Sequence, residues 1–314
     1  MDYEVELTEF FSPEEIEIMA RDTGFVQRKS PINGFNFFLT FTNGLLNTPE
    51  GTLRQLAAFM SNVCETEVSA QAIDGRVQKS GMDFLKACLE KAMNLAAAPL
   101  EIGDEFSDCF DHIFIIDSTT FDLHKSLKDV FKGYSGSASQ SSMRIQFLFD
   151  YVTGSVYVEL GDVKLADSTT LNRIVSDDKI DSKGKSLFIQ DLGYFKTETF
   201  IKIDEKEQTS FLSKIKSGIN IFDTDGNKLE WKDLLKEKPE AIDLIVKIGD
   251  LECRLIGVKL NEKLVNQKLR TINKANKRRG RTTSDEQQLL AAYGLFITNL
   301  PQEFDFHCLY TVYR

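Results

Sequence analysis

Two segments of the sequence end an apolar run in an aspartate that a polar or glycine turn follows. The first is Phe114–Thr120, with Asp117 after two isoleucines, and the second is Leu187–Phe195, with Asp191 before Leu-Gly-Tyr-Phe. Apolar runs of this length are typical of buried central strands, and α/β sheets place ligand-binding residues at the carboxyl ends of such strands. Two aspartates on neighbouring strands would share a metal ion, although each also fits the role of a strand-end cap or turn residue.

Carboxylates are the residue type that would carry metal chemistry in this chain. Its three histidines are few, and its five cysteines are scattered without a Cys-x-x-Cys pair, so neither zinc nor a disulfide framework is indicated. Magnesium prefers hard oxygen ligands and commonly uses one or two carboxylates. Two ions about 3.5–4 Å apart can hold the attacking and leaving oxygens of a phosphodiester displacement. Two such aspartates could therefore bind Mg²⁺, although their spacing alone does not establish a metal site.

The elements that would position these aspartates change character near residue 105. The apolar spacing in residues 1–105 predicts a mostly helical region, whereas residues 106–314 predict an α/β region whose strands carry both aspartates. Residues 208–260 alternate in the manner of strands, which predicts a β-rich insertion in the α/β core. The expected fold class is thus α/β, with a mixed sheet preceded by helices.

Residues 52–79 have the outline of a helix-turn-helix motif, in which Thr52 and Ser69 are the predicted N-caps. The exposed side of the second helix of such a motif enters the major groove of DNA. Five polar side chains would be available there: Gln71, Asp74, Arg76, Gln78 and Lys79. A helical hairpin that packs its own core fits the same pattern.

The formal net charge of −10 argues against DNA binding, because neutralising phosphates with Lys and Arg supplies most non-specific affinity. The charge is segregated, however, since residues 1–18 hold seven acidic and no basic residues while residues 263–281 hold eight basic and no acidic ones. Such a basic run is otherwise typical of solvated surface. The acidic N-terminus and the short apolar runs predict a cytoplasmic protein without a membrane span.

The two aspartate segments, taken with their surroundings, resemble the DDE transposases of the insertion-sequence-four family. Ile115–Thr119 is similar to the family's first-aspartate segment, and Asp191–Phe195 to its Asp-x-Gly-Tyr/Phe motif. The likeness covers nearly the whole chain. It continues in the expected order through Leu53–Ala57, Phe84–Leu85, Lys132–Gly133, Arg144, Asn273–Arg278 and Phe296–Leu300.

This resemblance implies an RNase H-like catalytic domain interrupted by a β-rich insertion and preceded by a helical region that binds DNA ends. Asp117 and Asp191 then become the catalytic, metal-binding aspartates, with Mg²⁺ or Mn²⁺ as the implied cofactor and two ions in a complete active site. The implied partners are double-stranded DNA of the terminal inverted repeats and of the target, with a homodimer on DNA as one hypothesis for the assembly, in a prokaryotic, nucleoid-associated setting. The residues predicted to contact DNA are Arg144, Lys274, Lys277, Arg278, Arg279 and Arg281.

The family's third acid lies in a helix motif spelled tyrosine, two residues, arginine, three residues, glutamate. If Tyr313 is the motif tyrosine, the glutamate falls about six residues past Arg314, so we expect the catalytic helix to be missing and the 314-residue chain to be inactive. Glu286 and Glu303 precede this helix and are poor substitutes. A DNA-binding remnant without catalysis and another RNase H-like nuclease are the alternative hypotheses.

Overall fold

The computed structural model describes residues 11–48, 50–97, 106, 108–134, 139–164, 167–176, 180, 183–216, 218–237 and 239–313. Internal contacts divide the chain into two units, Met1–Leu100 and Glu101–Arg314. The boundary predicted after residue 105 adjoins residues 98–105, which lie outside the described residues. Within the described part of the chain, no helix combines the length and the apolar character that crossing a membrane requires.

The first unit is helical wherever it is regular. Its helices are α1 (Pro13–Asp22), α2 (Gly34–Leu39), α3 (Leu45–Asn47), α4 (Leu53–Val63), α5 (Ala70–Asp74) and α6 (Lys79–Ala97). Side-chain caps fix several starts: Thr52 and Gln55 form a reciprocal capping box on α4, and the Ser69 hydroxyl accepts the Ala72 amide. Both predicted N-caps are therefore confirmed. Phe25 and Phe84 stack within the apolar core of this unit, with ring centroids 5.2 Å apart.

The helix-turn-helix outline corresponds to α4 and α5, but the second helix spans only five residues. Gln71, Asp74, Gln78 and Lys79 are exposed, as a groove-reading surface would require. Arg76 is turned inward instead: its guanidinium donates to the Phe25 carbonyl at 3.1 Å and to the Ser30 hydroxyl at 2.8 Å. Of the predicted groove residues, Arg76 thus holds the unit's own fold together, and DNA contact by the others remains a prediction.

A ten-stranded mixed sheet organises the second unit. Its strands run β3-β2-β1-β4-β5-β10-β9-β8-β6-β7 across the sheet. Strands β1, β4 and β5 are parallel, whereas β2 and β3 are antiparallel to their neighbours. The strands are β1 (His112–Asp122), β2 (Ser142–Asp150), β3 (Val156–Asp162), β4 (Ser186–Gln190), β5 (Thr209–Lys214), β6 (Ile221–Phe222), β7 (Lys228–Leu229), β8 (Ala241–Ile248), β9 (Leu251–Lys259) and β10 (Tyr293–Thr298).

The order β3-β2-β1-β4-β5, with β2 antiparallel between β3 and β1, confirms the RNase H-like sheet. The predicted insertion is present as strands β6 to β9, but it does not begin at residue 208. Thr209–Lys214 forms β5, which pairs in parallel with β4 and so belongs to the core. Strand β10 pairs with both β5 and β9 in antiparallel fashion, so the insertion extends the core sheet instead of forming a separate one.

Helices cover both faces of this sheet. They are α7 (Asp167–Ser176), α8 (Thr197–Asp204), α9 (Trp231–Leu234), α10 (Glu262–Arg278), α11 (Asp285–Ala291) and α12 (Phe306–Tyr313). On one face, Phe114, Phe188 and Phe211 pack with α7 and α8. On the other face a second cluster, here named the α12 cluster, joins the sheet to the last helix: Ile113, Leu187, Ile189, Leu212, Phe296 and Leu309.

Arg254 on β9 ties the insertion to the loop that leads into α12. Its guanidinium is 2% exposed and donates through Nε and Nη2 to Asp243, each at 2.6 Å, and through Nη1 to the carbonyls of Pro301 (2.9 Å) and Phe304 (2.8 Å). The pairing with Asp243 is a bidentate fork, which is the strongest arrangement of an ion pair. The loop before α12 is thus held by a buried charge.

We expect Arg254→Met to lower the free energy of unfolding by about 3 kcal/mol, because it leaves Asp243 and two carbonyls without their donor. Removing one partner of a buried ion pair typically costs about 3–5 kcal/mol, and we expect the low end because the Asp243 side chain is 28% exposed. Urea denaturation followed by the fluorescence of the single tryptophan, Trp231, measures the change. The matched control is Lys247→Met on β8, whose ion pair with Glu252 is exposed and should be worth under about 1 kcal/mol. Equal effects would contradict the role given to Arg254.

Candidate active site

Asp117 and Asp191 lie at the same edge of the core sheet. Ile116 of β1 pairs with Gln190 of β4, and these are the last residues in the parallel register, so the two aspartates directly follow it. Strand β4 ends there, whereas β1 continues to Asp122 because its polar residues stay paired with β2. The prediction that Asp117 ends its strand is wrong in this detail: it lies where the parallel pairing ends.

Both aspartates project from the sheet face that α12 covers. Ile113 of β1, and Leu187 and Ile189 of β4, belong to the α12 cluster. Successive side chains of a strand alternate between faces, so Asp117, four residues after Ile113, and Asp191, two residues after Ile189, share this face. Both side chains are exposed to solvent. The structure therefore brings the two aspartates to one accessible edge and one face of the sheet.

Tyr313 at the end of α12 reaches this edge. Its hydroxyl is 3.2 Å from Asp191 Oδ1 and donates to the Gln190 carbonyl at 3.0 Å. Burial, followed by the negative charges of Asp191 and Asp117, raises the pKa of Tyr313 well above its ordinary value. The hydroxyl therefore stays protonated at neutral pH and serves as a donor at the site.

Lys214 is the site residue that sequence reasoning missed. It is the last residue of β5, its Nζ lies 3.1 Å from Asp191 Oδ1, and it sits over the Tyr313 ring at 4.7 Å from the centroid. Burial acts to raise the pKa of Asp191, but hydrogen bonds from the Leu192 amide, Lys214 and Tyr313 outweigh it and hold that pKa below its ordinary value. Asp191 is thus an ionised carboxylate with a resident counter-charge.

The donor set fits a hard divalent cation, since it consists of two exposed carboxylates on one face of the sheet. Among the residues that the structure describes, no group of three or more His, Cys, Asp or Glu side chains is arranged to hold a metal ion. Asp117 and Asp191 would therefore be the protein's acidic ligands within the described part of the chain. Glu286 and Glu303 do not join them.

A polar network on the opposite face supports the strand that carries Asp117. Ser118 donates to Asp167 at 2.8 Å, and Arg144 contacts the same carboxylate at 3.1 Å. Gln146 donates to the Asp117 carbonyl at 3.3 Å and to the Tyr194 hydroxyl, whose pKa burial raises to about 12. Residues of both aspartate segments thus share one network through strand β2 and helix α7.

Arg144 belongs to this network. Its side chain is 13% exposed and also donates to the Val163 carbonyl at 3.1 Å. The structure therefore engages Arg144 with Asp167 at the start of α7, and the predicted contact with DNA would require these bonds to be exchanged. The sequence identifies Arg144 only as one position of a motif and so does not indicate that its side chain is mostly shielded from solvent.

Asp167→Asn should lower the free energy of unfolding by about 1.5–3 kcal/mol, because hydrogen bonds to charged groups contribute in this range and the amide cannot neutralise Arg144. The matched control is Glu159→Gln, which makes the same chemical change beside Arg173, whose side chain is 44% exposed against 13% for Arg144, and should cost about 0–1 kcal/mol. Tryptophan-detected urea denaturation compares the two. Equal small losses would mean that the network does not stabilise this part of the sheet.

The basic segment, residues 263–281, carries five of the predicted DNA-contacting residues, and these lie together at one end of α10. Lys274, Lys277 and Arg278 are exposed on α10, and Arg279 and Arg281 are exposed just past its end. The opposite side of the helix is anchored by the buried Asn276 amide, which donates to Thr283 at 3.1 Å and to Gln287 at 2.9 Å. The structure thus presents five cations on the solvent side of one helix end.

A cavity of about 750 Å³ begins at Asp191 and Lys214 and continues along the half-buried side of α10. Tyr313 forms part of its wall, and Lys268 lines it from α10. The Lys268 ammonium donates to the Tyr293 carbonyl at 2.6 Å, and burial, followed by the charge of Lys214, lowers its pKa. The cavity therefore connects the aspartate edge with the helix that carries the basic segment.

Comparison with known proteins identifies a family and relatives for this chain. The family described as "Transposase DDE domain" matches residues 108–295, which include both aspartates. The chain is 29% identical over 252 residues to the transposase of insertion sequence element IS1151 from Clostridium perfringens, covering 78% of this chain and 51% of that protein. It is 24% identical over 336 residues to the IS231F transposase of Bacillus thuringiensis subsp. israelensis, covering 98% and 69%.

The chain thus spans about half the length of the first of these relatives and about two thirds of the second. A solved structure of the piggyBac transposase synaptic complex with hairpin DNA gives a TM-score of only 0.37 at 10% identity, over 94% of this chain and 60% of that chain. The family match, in contrast, covers more than half of the sequence. The chain belongs to the DDE transposases of the insertion-sequence-four type, a family that generally uses divalent metal ions.

Proposed function

We propose that this protein acts on DNA as a transposase that binds terminal inverted repeats, cleaves the element ends and transfers the strands to target DNA by two-metal chemistry. The observation that carries the proposal is the edge of the core sheet, where Asp117 and Asp191 follow the last parallel pair on one face. Mg²⁺ or Mn²⁺ is the expected cofactor because both ligands are hard carboxylates.

Asp117 and Asp191 would hold the ions through their carboxylate oxygens. Divalent ions at such a site supply Lewis acidity, a nucleophilic water or 3′-hydroxyl at neutral pH, and a template for the phosphodiester. The Tyr313 hydroxyl helps to orient Asp191, because its single hydrogen is shared between the Gln190 carbonyl and Asp191 Oδ1. Ser118 and Gln146 fix the strand that carries Asp117, so hydrogen bonds on the opposite face of the sheet hold the backbone of Asp117 in place. Preorganised positioning of this kind is a large part of catalysis in polar sites.

The basic segment at the end of α10 is the proposed contact for DNA phosphates. Its exposed cations carry the positive charge that non-specific DNA affinity requires, although the whole chain is acidic. Helix α10 also lines the cavity that begins at Asp191, so DNA bound to the segment would lie on the element that borders the candidate active site. A homodimer on DNA, with inverted repeats and target as partners, completes the proposal.

The complete two-metal reaction needs a third acidic ligand beside Asp117 and Asp191, and among the described residues no group of three such side chains is arranged to hold a metal ion. We propose that the polypeptide of residues 1–314 binds DNA and one metal ion but does not complete cleavage. The alternative function, that of a DNA-binding protein without catalysis, rests on the same observation. Another RNase H-like nuclease remains the third hypothesis, in which the aspartates matter and the basic segment does not.

Gel-shift measurements with the DNA that flanks the gene test this proposal. We expect a duplex carrying the flanking inverted repeat to bind at least about tenfold more tightly than a scrambled duplex of the same length, because specific binding exceeds non-specific binding by several kcal/mol. The Asp117→Asn variant serves as the control, since it should retain this preference. Equal affinity for both duplexes would favour the RNase H-like nuclease without a role at element ends.

A further inference from the structure

Each of the three parallel strands of the core sheet has a charged residue directly after the same set of paired positions. Ile116 of β1 pairs with Gln190 of β4, and Gln190 pairs with Ser213 of β5. The residues that follow are Asp117, Asp191 and Lys214. Leu212, two residues before Lys214, belongs to the α12 cluster, so the lysine projects from the same face as both aspartates. The row therefore consists of two carboxylates and one ammonium.

The ammonium contacts the carboxylate that a metal ion would need. Lys214 Nζ lies 3.1 Å from Asp191 Oδ1, the same oxygen that Tyr313 approaches at 3.2 Å. The Lys214 and Asp191 side chains are 45% and 60% exposed, and ion pairs this exposed are weak. A divalent ion can therefore displace the ammonium, and its own positive charge would repel Lys214 from Asp191.

The displaced ammonium stays near the site. Lys214 sits over the Tyr313 ring at 4.7 Å, and a cation over a tyrosine face is attracted by the ring's negative face. A lysine ammonium is a compact point charge on a flexible stem, which suits it to exchange one anionic partner for another. The anion that reaches this edge in a transposase is a DNA phosphate.

We infer that Lys214 is a phosphate-binding residue of the active site, held against Asp191 until a divalent ion takes that carboxylate. This inference rests on the proposed function, since it requires a metal ion at Asp117 and Asp191. It makes Lys214 act in opposite directions on the two ligands. The lysine opposes metal binding in the absence of DNA and favours DNA binding once the metal ion is present.

Two titrations test this inference: Mn²⁺ binding without DNA, followed by electron paramagnetic resonance, and binding of a flanking-repeat duplex in Ca²⁺. Lys214→Gln should bind Mn²⁺ about tenfold more tightly than the parent chain, because one positive charge near the ion is removed. It should bind the duplex about three- to tenfold more weakly, because one phosphate contact is lost. Lys214→Arg keeps the charge and should resemble the parent chain in Mn²⁺ affinity.

Lys216→Gln is the matched control, since it removes the same charge from the same cavity wall two residues away and should change Mn²⁺ affinity less than about twofold. A Lys214→Gln variant with unchanged or weaker Mn²⁺ affinity overturns the inference, as does equal behaviour of the two glutamine variants. Asp191→Asn separates this failure from that of the proposed function. If the parent chain and Asp191→Asn bind Mn²⁺ equally, the metal site itself is wrong, and the role of Lys214 fails with it.

Discussion

A polypeptide of residues 1–314 should cut inverted-repeat DNA at least about 10²–10³-fold more slowly than the same chain extended by the family's glutamate-bearing helix. Electrostatic preorganisation is commonly the largest catalytic contribution, and removing one donor from such a site costs about 2.7–4 kcal/mol. The loss of a metal ligand should cost more, because both the attacking and the leaving oxygen need an ion. The assay is cleavage of the flanking-repeat duplex with Mg²⁺ or Mn²⁺.

The geometry of α12 gives this prediction its basis. The helix is described as far as Tyr313, whose hydroxyl already contacts the edge that carries Asp191. In the family motif the glutamate follows the tyrosine by seven residues, which is about two turns of an α-helix. Residues seven apart lie on the same side of a helix, so a continued α12 would turn the glutamate toward the side that Tyr313 uses.

The control for this experiment is Asp117→Ala in both chains. It should abolish cutting by the extended chain and leave the 314-residue chain at background. Robust, specific cutting by the 314-residue chain that Asp117→Ala abolishes would contradict the prediction. An acid within the sequence, such as Glu286 or Glu303, would then complete the site, and the alignment of Tyr313 with the motif tyrosine would be wrong.

Replacing the basic segment should remove most of the salt dependence of DNA binding. Each phosphate contact contributes about 0.9 to the slope of log affinity against log salt, so losing five contacts should flatten the slope by up to about 4.5. Affinity should fall most at low salt, where counterion release is most favourable. The slope is measured by fluorescence anisotropy on a flanking-repeat duplex. The variant replaces Lys274, Lys277, Arg278, Arg279 and Arg281 with alanine.

A second variant with the same loss of charge separates local contact from net charge. Its alanines lie at exposed lysines elsewhere in the second unit: Lys183, Lys202, Lys228, Lys232 and Lys236. This variant should change the slope by less than about 1, because distant surface charges are screened. If the basic-segment variant has the same slope of log affinity against log salt as the parent chain, DNA contacts another part of the protein, and residues 53–79 are the next candidate.

The aspartate edge could be predicted because its signals are local. An apolar run predicts each central strand, and the polar or glycine turn after it marks the carboxyl end, so Asp117 and Asp191 stood out in the sequence. The continuation of β1 to Asp122 could not be predicted in this way, because Ser118 and the threonines that follow it are polar. They form strand only through pairing with β2, which is a contact between distant parts of the chain.

The remaining features depend on pairings between residues far apart in sequence. Lys214 joins the site because β5 lies beside β4 in the core sheet, whereas the alternation in residues 208–260 indicates strands without saying which partner each one takes. Arg144 is similar: it was predicted to face DNA, and the start of α7 supplies Asp167 as its partner 23 residues later. Long-range contacts of this kind leave little trace in local patterns.

The most direct test of the metal site replaces Mg²⁺ with Fe²⁺ in the folded protein. In the presence of ascorbate and peroxide, bound Fe²⁺ produces hydroxyl radicals that cut the backbone within a few ångströms of the ion. If Asp117 and Asp191 hold the ion together, one sample should give breaks near both residues, suppressed by excess Mg²⁺ and lost in Asp191→Asn. Breaks elsewhere, or breaks that Mg²⁺ does not suppress, would contradict a shared metal site at this edge of the sheet.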